Sequence, residues 1–440
     1  MTIAKENQPA SAVKWGPIQL REGVNRRNMS IYVIGGVFMM LFSSFVPQAQ
    51  PFILTEILHI PPEQQGQLSG MLGFAQTIVG LIMPGIWGTL SDKAGRRIVY
   101  ALGFLISAMG IAVYPLAGSV MLLYLVRMLF AAGSNASNTM NNALLGDYIE
   151  NKDRGKAYGM VAAAGGIGAL LTVFVFLRLP AMFQQAGLSA MEAGRYTYWI
   201  VALLGIVAML IVGTGLLGRT NKQGQDKRGA LQIARDALQA AASDPGISLA
   251  YGVNFVASGA VSVIGTFFTL WIVTYGTTQA GLTSAEALAR AGMIIGISQM
   301  MGLVASPVFG ILADKIGRVR AVILATSLTA VAFTATLLIS NPLSGIMIVL
   351  GLFLGFVQIS GIITGGALVA QHAPEAVRGS VMGFYGFCGA LGIMLAFLLG
   401  GWLFDHWAYQ GPFVLAAILC AGVAVWGLIV NNLITKRKAS

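Results

Sequence analysis

The sequence predicts an all-α membrane protein whose twelve transmembrane helices form two pseudo-symmetric six-helix halves. Hydropathy, the placement of basic residues and an internal repeat support this prediction. The chain has 440 residues, of which 56% are hydrophobic and 10% charged, whereas soluble domains carry roughly 25% charged residues. At roughly 20 residues per span, its long apolar runs accommodate about twelve spans.

The apolar runs place the spans in order along the chain, and polar residues mark their boundaries. Pro61 and Pro62 open the second span, where the missing N–H groups cost little. Thr283 and Glu286 have the spacing of a capping box at the start of the eighth. The predicted spans are 31–55, 64–90, 98–117, 119–147, 156–179, 196–217, 247–276, 284–312, 319–340, 342–371, 380–404 and 409–433.

Basic residues concentrate in alternate loops and at the two ends of the chain. The exceptions among the 27 Lys and Arg residues are Arg127, Arg178, Arg195 and Arg290. This positive-inside asymmetry predicts an inner (plasma) membrane protein with both termini in the cytoplasm. A nucleic-acid-binding protein would instead gather its positive charge on one face.

The same pattern divides the chain into two halves joined by one long cytoplasmic linker. The predicted regions are a cytoplasmic N-terminal tail (1–28), a first half (29–217), the linker (218–246), a second half (247–433) and a cytoplasmic tail (434–440).

The two halves also look like copies of each other. A shift of 222 positions places Gly70, Gly80, Gly88, Asp92 and Arg96 on identical residues of the second half, and a shift of 224 does the same for Gly155, Gly159, Gly165 and Gly168. Many secondary transporters are built from such repeats, with the binding site between them.

A short motif occurs at equivalent loops of both halves. One copy reads GTLSDKAGRR from Gly88 to Arg97, and the other reads GILADKIGRVR from Gly310 to Arg320. Both resemble the G-x-x-x-D-[RK]-x-G-R-[RK] signature of the major facilitator superfamily, and the resemblance covers essentially the whole chain. It implies that family's fold and transport by alternating access.

In that family, the motif residues latch the cytoplasmic side when the transporter faces outward. Carried over to this chain, Asp92 faces the start of the eleventh span and Arg96 pairs with Asp147. The second copy has Gln371 where the first has Asp147, so we expect the stronger latch in the first half. The implied latch residues are Gly88, Asp92, Gly95, Arg96, Arg97, Asp147, Gly310, Asp314, Gly317 and Arg318.

The resemblance also implies that spans 1, 4, 7 and 10 line a central cavity. Independently, polar residues form one helical stripe on several spans, as Asn135, Asn138 and Asn142 do on the fourth. Polar groups in hydrocarbon need a partner or water, so the alternative is hydrogen bonding between helices. The candidate cavity residues are Gln48, Arg127, Asn135, Asn138, Asn142, Asn254, Ser258, Gln299 and Gln358.

Arg127 is the candidate for contact with a substrate or for coupling. It resembles the family's fourth-span arginine, which senses a proton site, although Ala131 occupies the expected glycine position. Glu56, at the outer end of the first span, is a candidate coupling partner. Because no Asp or Glu lies deep in a predicted span, we favour contact between Arg127 and an anionic substrate group. Asp405 ends the eleventh span, where solvation is the default expectation.

These observations predict a secondary transporter of a small organic solute, polar or anionic, with proton coupling left open. A proton-coupled multidrug efflux antiporter is the alternative, and a membrane-embedded enzyme or a sensor is a remote one. An enzyme would need a nucleophile with a base, or a metal cluster, at membrane depth, and no such set is evident. We expect no cofactor, no metal, no nucleic-acid partner and a monomer in the lipid bilayer.

Overall fold

The computed structural model describes residues 13–217 and 230–439. Within them, twelve helical spans are long and apolar enough to cross a membrane, which confirms the predicted number. The predicted basic linker residues between 218 and 229 lie outside the described residues.

The helices follow the predicted order. The first half contains α1 (Arg26–Glu56), α2 (Pro62–Ala94), α3 (Arg96–Val113), α4 (Val120–Tyr148), α5 (Arg154–Phe174), α6 (Leu179–Gln185) and α7 (Ala190–Gly215). The remainder contains α8 (Ala230–Ser243), α9 (Pro245–Val263), α10 (Thr269–Thr278), α11 (Ser284–Ile316), α12 (Arg318–Thr334), α13 (Gly345–Gln358), α14 (Ser360–His372), α15 (Arg378–His406) and α16 (Gly411–Ala439).

Local chemistry sets several helix ends. The Glu286 N–H donates to the Thr283 hydroxyl at 3.2 Å, and the Thr283 N–H donates to the Glu286 carboxylate at 3.0 Å. The predicted capping box of α11 is therefore present. The turns after α2 and α11 rest on Gly95 and Gly317, whose φ angles of +98° and +87° glycine adopts without a steric penalty.

Three spans that the sequence predicts as continuous are interrupted. In the seventh, a π-helical turn, Ile264–Phe268, joins α9 to α10. The tenth breaks at Ile359 between α13 and α14, and a 3₁₀ turn, Phe176–Arg178, precedes α6 in the fifth. A π-helical turn re-aims side chains within a helix and often marks a functional position.

Equivalent helices pack in the same way in the two halves. In the first half, α1 packs on α5 and α3 on α7, and in the second α9 packs on α15 and α12 on α16. The halves meet where α2 packs against α15 and α5 against α11. We call the side with the loops at 94–96, 149–153 and 373–377 the terminal face, because residue 13 and the end of α16 lie there, and the opposite side the distal face.

Residues 13–25, which precede α1, are folded against the terminal face. Strands β1 (Lys14–Trp15) and β2 (Ile18–Gln19) form a hairpin, and Leu20 pairs with Ile149 in the loop between α4 and α5. The Gln19 N–H donates to Asp153 at 3.0 Å. We call residues 13–25 the strap. Part of the predicted N-terminal tail is therefore packed structure.

Candidate functional site: a central cavity between the halves

A cavity of about 370 Å³ lies between the two halves near the midpoints of their helices. Helices α1, α2, α4, α9 and α15 and the π-helical turn contribute to its wall. The lining residues are Ser43, Ser44, Pro47, Gln48, Gln76, Thr77, Gly80, Asn135, Ser262, Gly265, Thr266, Ala390, Ile393 and Phe397. None of these described residues has an ionisable side chain, and eight have an uncharged polar one.

Two of the candidate cavity residues, Gln48 and Asn135, line this cavity. The Gln48 Oε1 atom is buried without a hydrogen-bond partner. The Asn135 side chain donates to the Ala131 carbonyl at 2.8 Å, which leaves its own oxygen able to accept a hydrogen bond. Both residues therefore keep hydrogen-bonding capacity for a solute.

The other candidates on α4 and α9 lie elsewhere. Asn138 and Asn142 are exposed closer to the terminal face and bond to each other, Nδ2 to Oδ1, at 2.8 Å. Asn254 donates to the Tyr385 carbonyl on α15 at 2.7 Å, and the Ser258 hydroxyl donates to Asn254 at 3.2 Å. Asn254 thus makes the helix-to-helix hydrogen bond considered as the alternative, and Ser258 bonds to it within α9.

Gln299 and Gln358 are half-buried within the second half. The Gln299 Oε1 atom has no partner among the described residues. A Cβ atom on Gly302 would stand 3.1 Å from Gln358 Nε2, which places Gln358 against α11. Neither residue is among those that line the cavity.

Arg127 lies inside the first half, away from the cavity wall. Its residue surface is 2% exposed, and its guanidinium lies 5.9 Å from the centre of the Phe130 ring. The hydroxyl groups of Tyr114 and Tyr198 are near enough to interact with its positive charge. Nε and Nη1 have no hydrogen-bond partner, and no described carboxylate lies within 4.0 Å of it.

Glu56 lies in a different place, at a recess of about 540 Å³ on the distal face. Thr55, Gln184 and Thr283 line the same recess. The structure thus brings Glu56 neither to Arg127 nor to the central cavity.

In the first copy of the loop motif, Arg96 contacts residues of its own half. Arg96 lies 3.3 Å from both Asp92 and Asp147 and also donates to Ser91, so the expected Arg96–Asp147 contact is present. Arg97 is half-exposed at the start of α3.

The second copy is anchored differently. Arg318 donates to the Ala367 carbonyl at 2.6 Å, while Asp314 and Gln371 are exposed. A Cβ atom on Gly88 or Gly310 would meet nothing within 4 Å, so neither glycine makes a close helix contact in this conformation.

The two faces of the interface between the halves differ. Near the distal face, a Cβ atom on Gly401 would stand 2.6 Å from the Gly66 carbonyl oxygen, and one on Gly292 would stand 2.7 Å from the Val173 carbonyl oxygen. Towards the terminal face, Cβ atoms on Gly159 and on its repeat mate Gly383 would meet nothing within 4 Å. The cavity is therefore closed towards the distal face and open towards the terminal face.

Helices α2 and α15 also contribute to the cavity, although the predicted cavity residues include none from them. Gln76 and Thr77 on α2, and Phe397 on α15, line it, and Gln76 Oε1 is buried without a partner. A glutamine in the middle of an apolar run was the available signal for Gln76. Phe397 carries no such signal, because aromatic residues are common in apolar spans and do not by themselves mark a cavity.

Comparisons with known proteins agree with this architecture. A family model described as Major Facilitator Superfamily matches residues 31–342 and 287–439. The chain is similar to the magnetosome protein MamH of Paramagnetospirillum magneticum, with 26% identity over 404 residues that cover 89% of this chain and 90% of MamH.

It is also similar to the magnetosome protein MamZ of Magnetospirillum gryphiswaldense, with 26% identity over 397 residues, but spans only 59% of that protein. Among solved structures, a mutant of the nucleoside transporter NupG matches with a TM-score of 0.72 at 14% identity, covering 92% of this chain and 99% of that one. At this identity the likeness shows the fold alone.

Proposed function

This chain belongs to the major facilitator superfamily and is a secondary transporter of that family, and from this premise we propose that it carries a small, uncharged, polar solute. The observation that carries the proposal is the cavity between the halves, about 370 Å³ in volume, whose wall combines eight uncharged polar side chains with apolar surface and has no ionisable side chain. That volume lies in the range of small-molecule sites, roughly 300–1,000 Å³.

The lining favours an uncharged solute over the anionic one considered from the sequence. A charged solute at membrane depth needs a counter-charge, because low dielectric leaves it poorly solvated. Arg127, the basis for expecting an anion, lies within the first half instead. Amide and hydroxyl groups such as those of Gln48, Gln76 and Thr266 suit the O–H and N–H groups of a neutral solute.

The same lining gives little support to a multidrug antiporter. Phe397 is the one aromatic residue among the described lining residues, and eight of the fourteen have an uncharged polar side chain, which offers many hydrogen-bonding groups that a lipophilic ligand would leave unpaired. The separation of Glu56 from Arg127 likewise offers no basis for coupling through that pair. The cavity forms within one copy of the chain, which supports a monomer as the working unit.

We place the terminal face in the cytoplasm, because Lys93, Lys152 and Lys315 lie on that side. The described conformation is then inward-open. Transport would proceed as the halves rock about the cavity, so that the distal contacts open while the terminal ends of α2 and α15 close. In this scheme the motif residues Arg96 and Asp92 act on the closed terminal face.

Ligand-dependent stability of the purified protein tests the proposed cargo. A ligand that binds only the folded state stabilises it by roughly 2.7 kcal/mol at 100 times its Kd. We expect neutral polyols, nucleosides or amides to raise the melting temperature, and organic anions and lipophilic cations to have no effect.

Two matched variants make the test specific to the cavity. Gln76→Leu should abolish the stabilisation, and Gln299→Leu, which changes a half-buried glutamine outside the cavity wall, should retain it. Stabilisation by anions alone would reject the uncharged cargo. Uptake of the stabilising solute into vesicles then checks that it is transported.

A further inference from the structure

Asp405, near the distal end of α15, bonds to the backbone of the other half. Its Oδ1 accepts the Gly66 N–H at 2.8 Å and its Oδ2 accepts the Gln67 N–H at 2.6 Å. Both donors belong to α2. The expectation that Asp405 is simply solvated is therefore not met, since the side chain is half-buried in the interface between the halves.

These two bonds are of a strong kind. The acceptor is a carboxylate, and bonds of backbone N–H groups to an ionised oxygen are shorter and roughly twice as strong as neutral ones. Gly66 and Gln67 are the fifth and sixth residues of α2, just beyond its first turn. Because two adjacent N–H groups donate to the two oxygens separately, the hydrogen bonds also fix the orientation of the carboxylate.

The local backbone approach requires glycine. A Cβ atom on Gly66 would collide with the Asp405 carboxylate and would stand 2.6 Å from the Phe404 ring. Gly70 and Gly401 continue the same contact, since a Cβ atom on Gly70 would stand 3.2 Å from the Gly401 Cα. The carboxylate thus belongs to a continuous, closely packed strip between α2 and α15.

This strip leads directly to the cavity. A Cβ atom on Gly73 would stand 2.8 Å from the ring of Phe397, which lines the cavity. Asp405 follows Phe397 by eight residues on the same helix, a rise of about 12 Å. The carboxylate therefore lies at the distal edge of the barrier that separates the cavity from the distal face.

We propose that Asp405 is the positioning residue of the distal gate, meaning the contacts of α2 with α15 near that face. Its carboxylate holds α2 against α15 while the cavity is open to the terminal face, and it must release both N–H groups before the distal face opens. The proposal rests on alternating access as proposed above. It adds that the Asp405 side chain keeps the distal gate closed. Glu63 on α2 and His406 on α15 are charged or titratable groups within range, but neither accepts these N–H groups.

Removing one acceptor should weaken the closed gate. Asp405→Asn keeps the shape of the side chain but leaves one oxygen, and its amide N–H₂ group would oppose the second backbone N–H. A hydrogen bond to a charged group contributes more than a neutral one, so we expect the distal-open fraction to rise about tenfold or more. Asp405→Ala should do at least as much. Glu63→Gln removes a neighbouring carboxylate without removing an acceptor and serves as the matched control.

Distances between spin labels report the population directly. In the full chain with Cys388→Ala and Cys420→Ala, one pair is Gln64→Cys with Trp407→Cys at exposed distal positions, and the other is Lys93→Cys with Glu375→Cys at exposed terminal positions. In Asp405→Asn, the distal pair should gain a longer-distance population and the terminal pair a shorter one. Glu63→Gln should match the wild type.

Unchanged distance distributions in both Asp405 variants would overturn the proposal, and a lower melting temperature alone would not support it. If Asp405→Asn does not fold, Gly66→Ala forces the same contact apart from the α2 side and should shift the same two distances. These comparisons are made without solute. They decide the role of Asp405 even if no neutral solute proves to be transported, and such a failure would reject only the proposed cargo.

Discussion

Arg127 holds a full positive charge inside the first half without a described carboxylate near it. Its residue surface is 2% exposed, and two of its nitrogens have no hydrogen-bond partner. An arginine cannot escape this situation by losing its proton, so the desolvation cost remains. The Phe130 ring face and the nearby tyrosine hydroxyls offset only part of that cost. The buried charge of Arg127 therefore reduces the stability of the folded protein, and Arg127 does not line the cavity.

The variant Arg127→Met separates a structural cost from a transport role. Met keeps an unbranched apolar chain of similar reach while removing the charge. Because a buried ion keeps a desolvation penalty on the order of several kcal/mol, which the neutral side chain avoids, we expect unfolding in detergent to occur at an equal or higher temperature. Uptake of a neutral solute should persist. A lower unfolding temperature for Arg127→Met would show instead that the charge has a partner in the folded protein. Gln48→Met, which alters the cavity wall, is the comparison variant and should reduce uptake.

The cavity residues show how far the position of a single side chain can be predicted from the sequence. Gln48 and Asn135 were predicted, because a polar side chain in mid-span must find water or a partner, and both line the cavity. Asn254 obeys the same rule through a helix partner instead, and the sequence alone does not distinguish the two solutions. Asp405 was missed because its partners are backbone N–H groups 338 and 339 residues away, which leave no signature in the sequence.

At the scale of single elements, the strap is a packed segment that hydropathy does not predict. Residues before α1 are polar and basic, so they were predicted as a tail. Yet Ile18, Leu20 and Val24 are buried, because a few apolar side chains suffice to pack a short hairpin against a loop. The twelve spans were predictable, since each depends on a long run of apolar residues. The π-helical turn within the seventh span was not, because that choice depends on what the helix packs against.

The strap depends on Asp153, which lies in the loop between α4 and α5. The Lys156 ammonium, 2.9 Å away, and the Gln19 N–H lower the pKa of Asp153 below its ordinary value of 3.8. A lowered folded-state pKa gives stability that is fully present above pH 3.8 and is lost as the pH falls through the folded-state pKa. We therefore expect equal amide hydrogen-exchange protection of Leu20 and Glu150 at pH 5 and pH 7.

Asp153→Asn should reduce that protection at both pH values, while Glu22→Gln in the same region should leave it unchanged. Loss of protection in the wild type between pH 7 and pH 5 would contradict the assignment of the strap to Asp153.

For the whole molecule, the internal repeat predicted which helices are equivalent but not which face is open. Equivalent helix pairs do pack alike, as α1 on α5 and α9 on α15 do. The state of the gates is a different matter, because an alternating-access protein encodes two conformations of similar free energy in one sequence. The motif glycines Gly88 and Gly310 have open space around them in this conformation. The distal glycines Gly66, Gly70 and Gly401 carry the close contacts instead.

Pseudo-symmetry then predicts what happens when the terminal face closes. Gly159 on α5 and Gly383 on α15 are repeat mates with nothing within 4 Å of their Cβ positions, whereas the distal parts of the same two helices already contact the opposite half. If the halves rock about the cavity, these two positions must approach the opposite half during closure. A leucine at either site then fits the present conformation and obstructs the other.

We expect Gly159→Leu and Gly383→Leu each to preserve the melting temperature, because the side chain enters open space, and to lower solute uptake by tenfold or more. The terminal pair of spin labels should stay at its long distance when the stabilising solute is added. Gly345→Leu provides the control, since its Cβ would also meet nothing within 4 Å but it lies at the distal start of α13, outside the contacts between the halves. Full uptake in both cavity-side variants would show that the terminal face closes without bringing α5 and α15 against the other half.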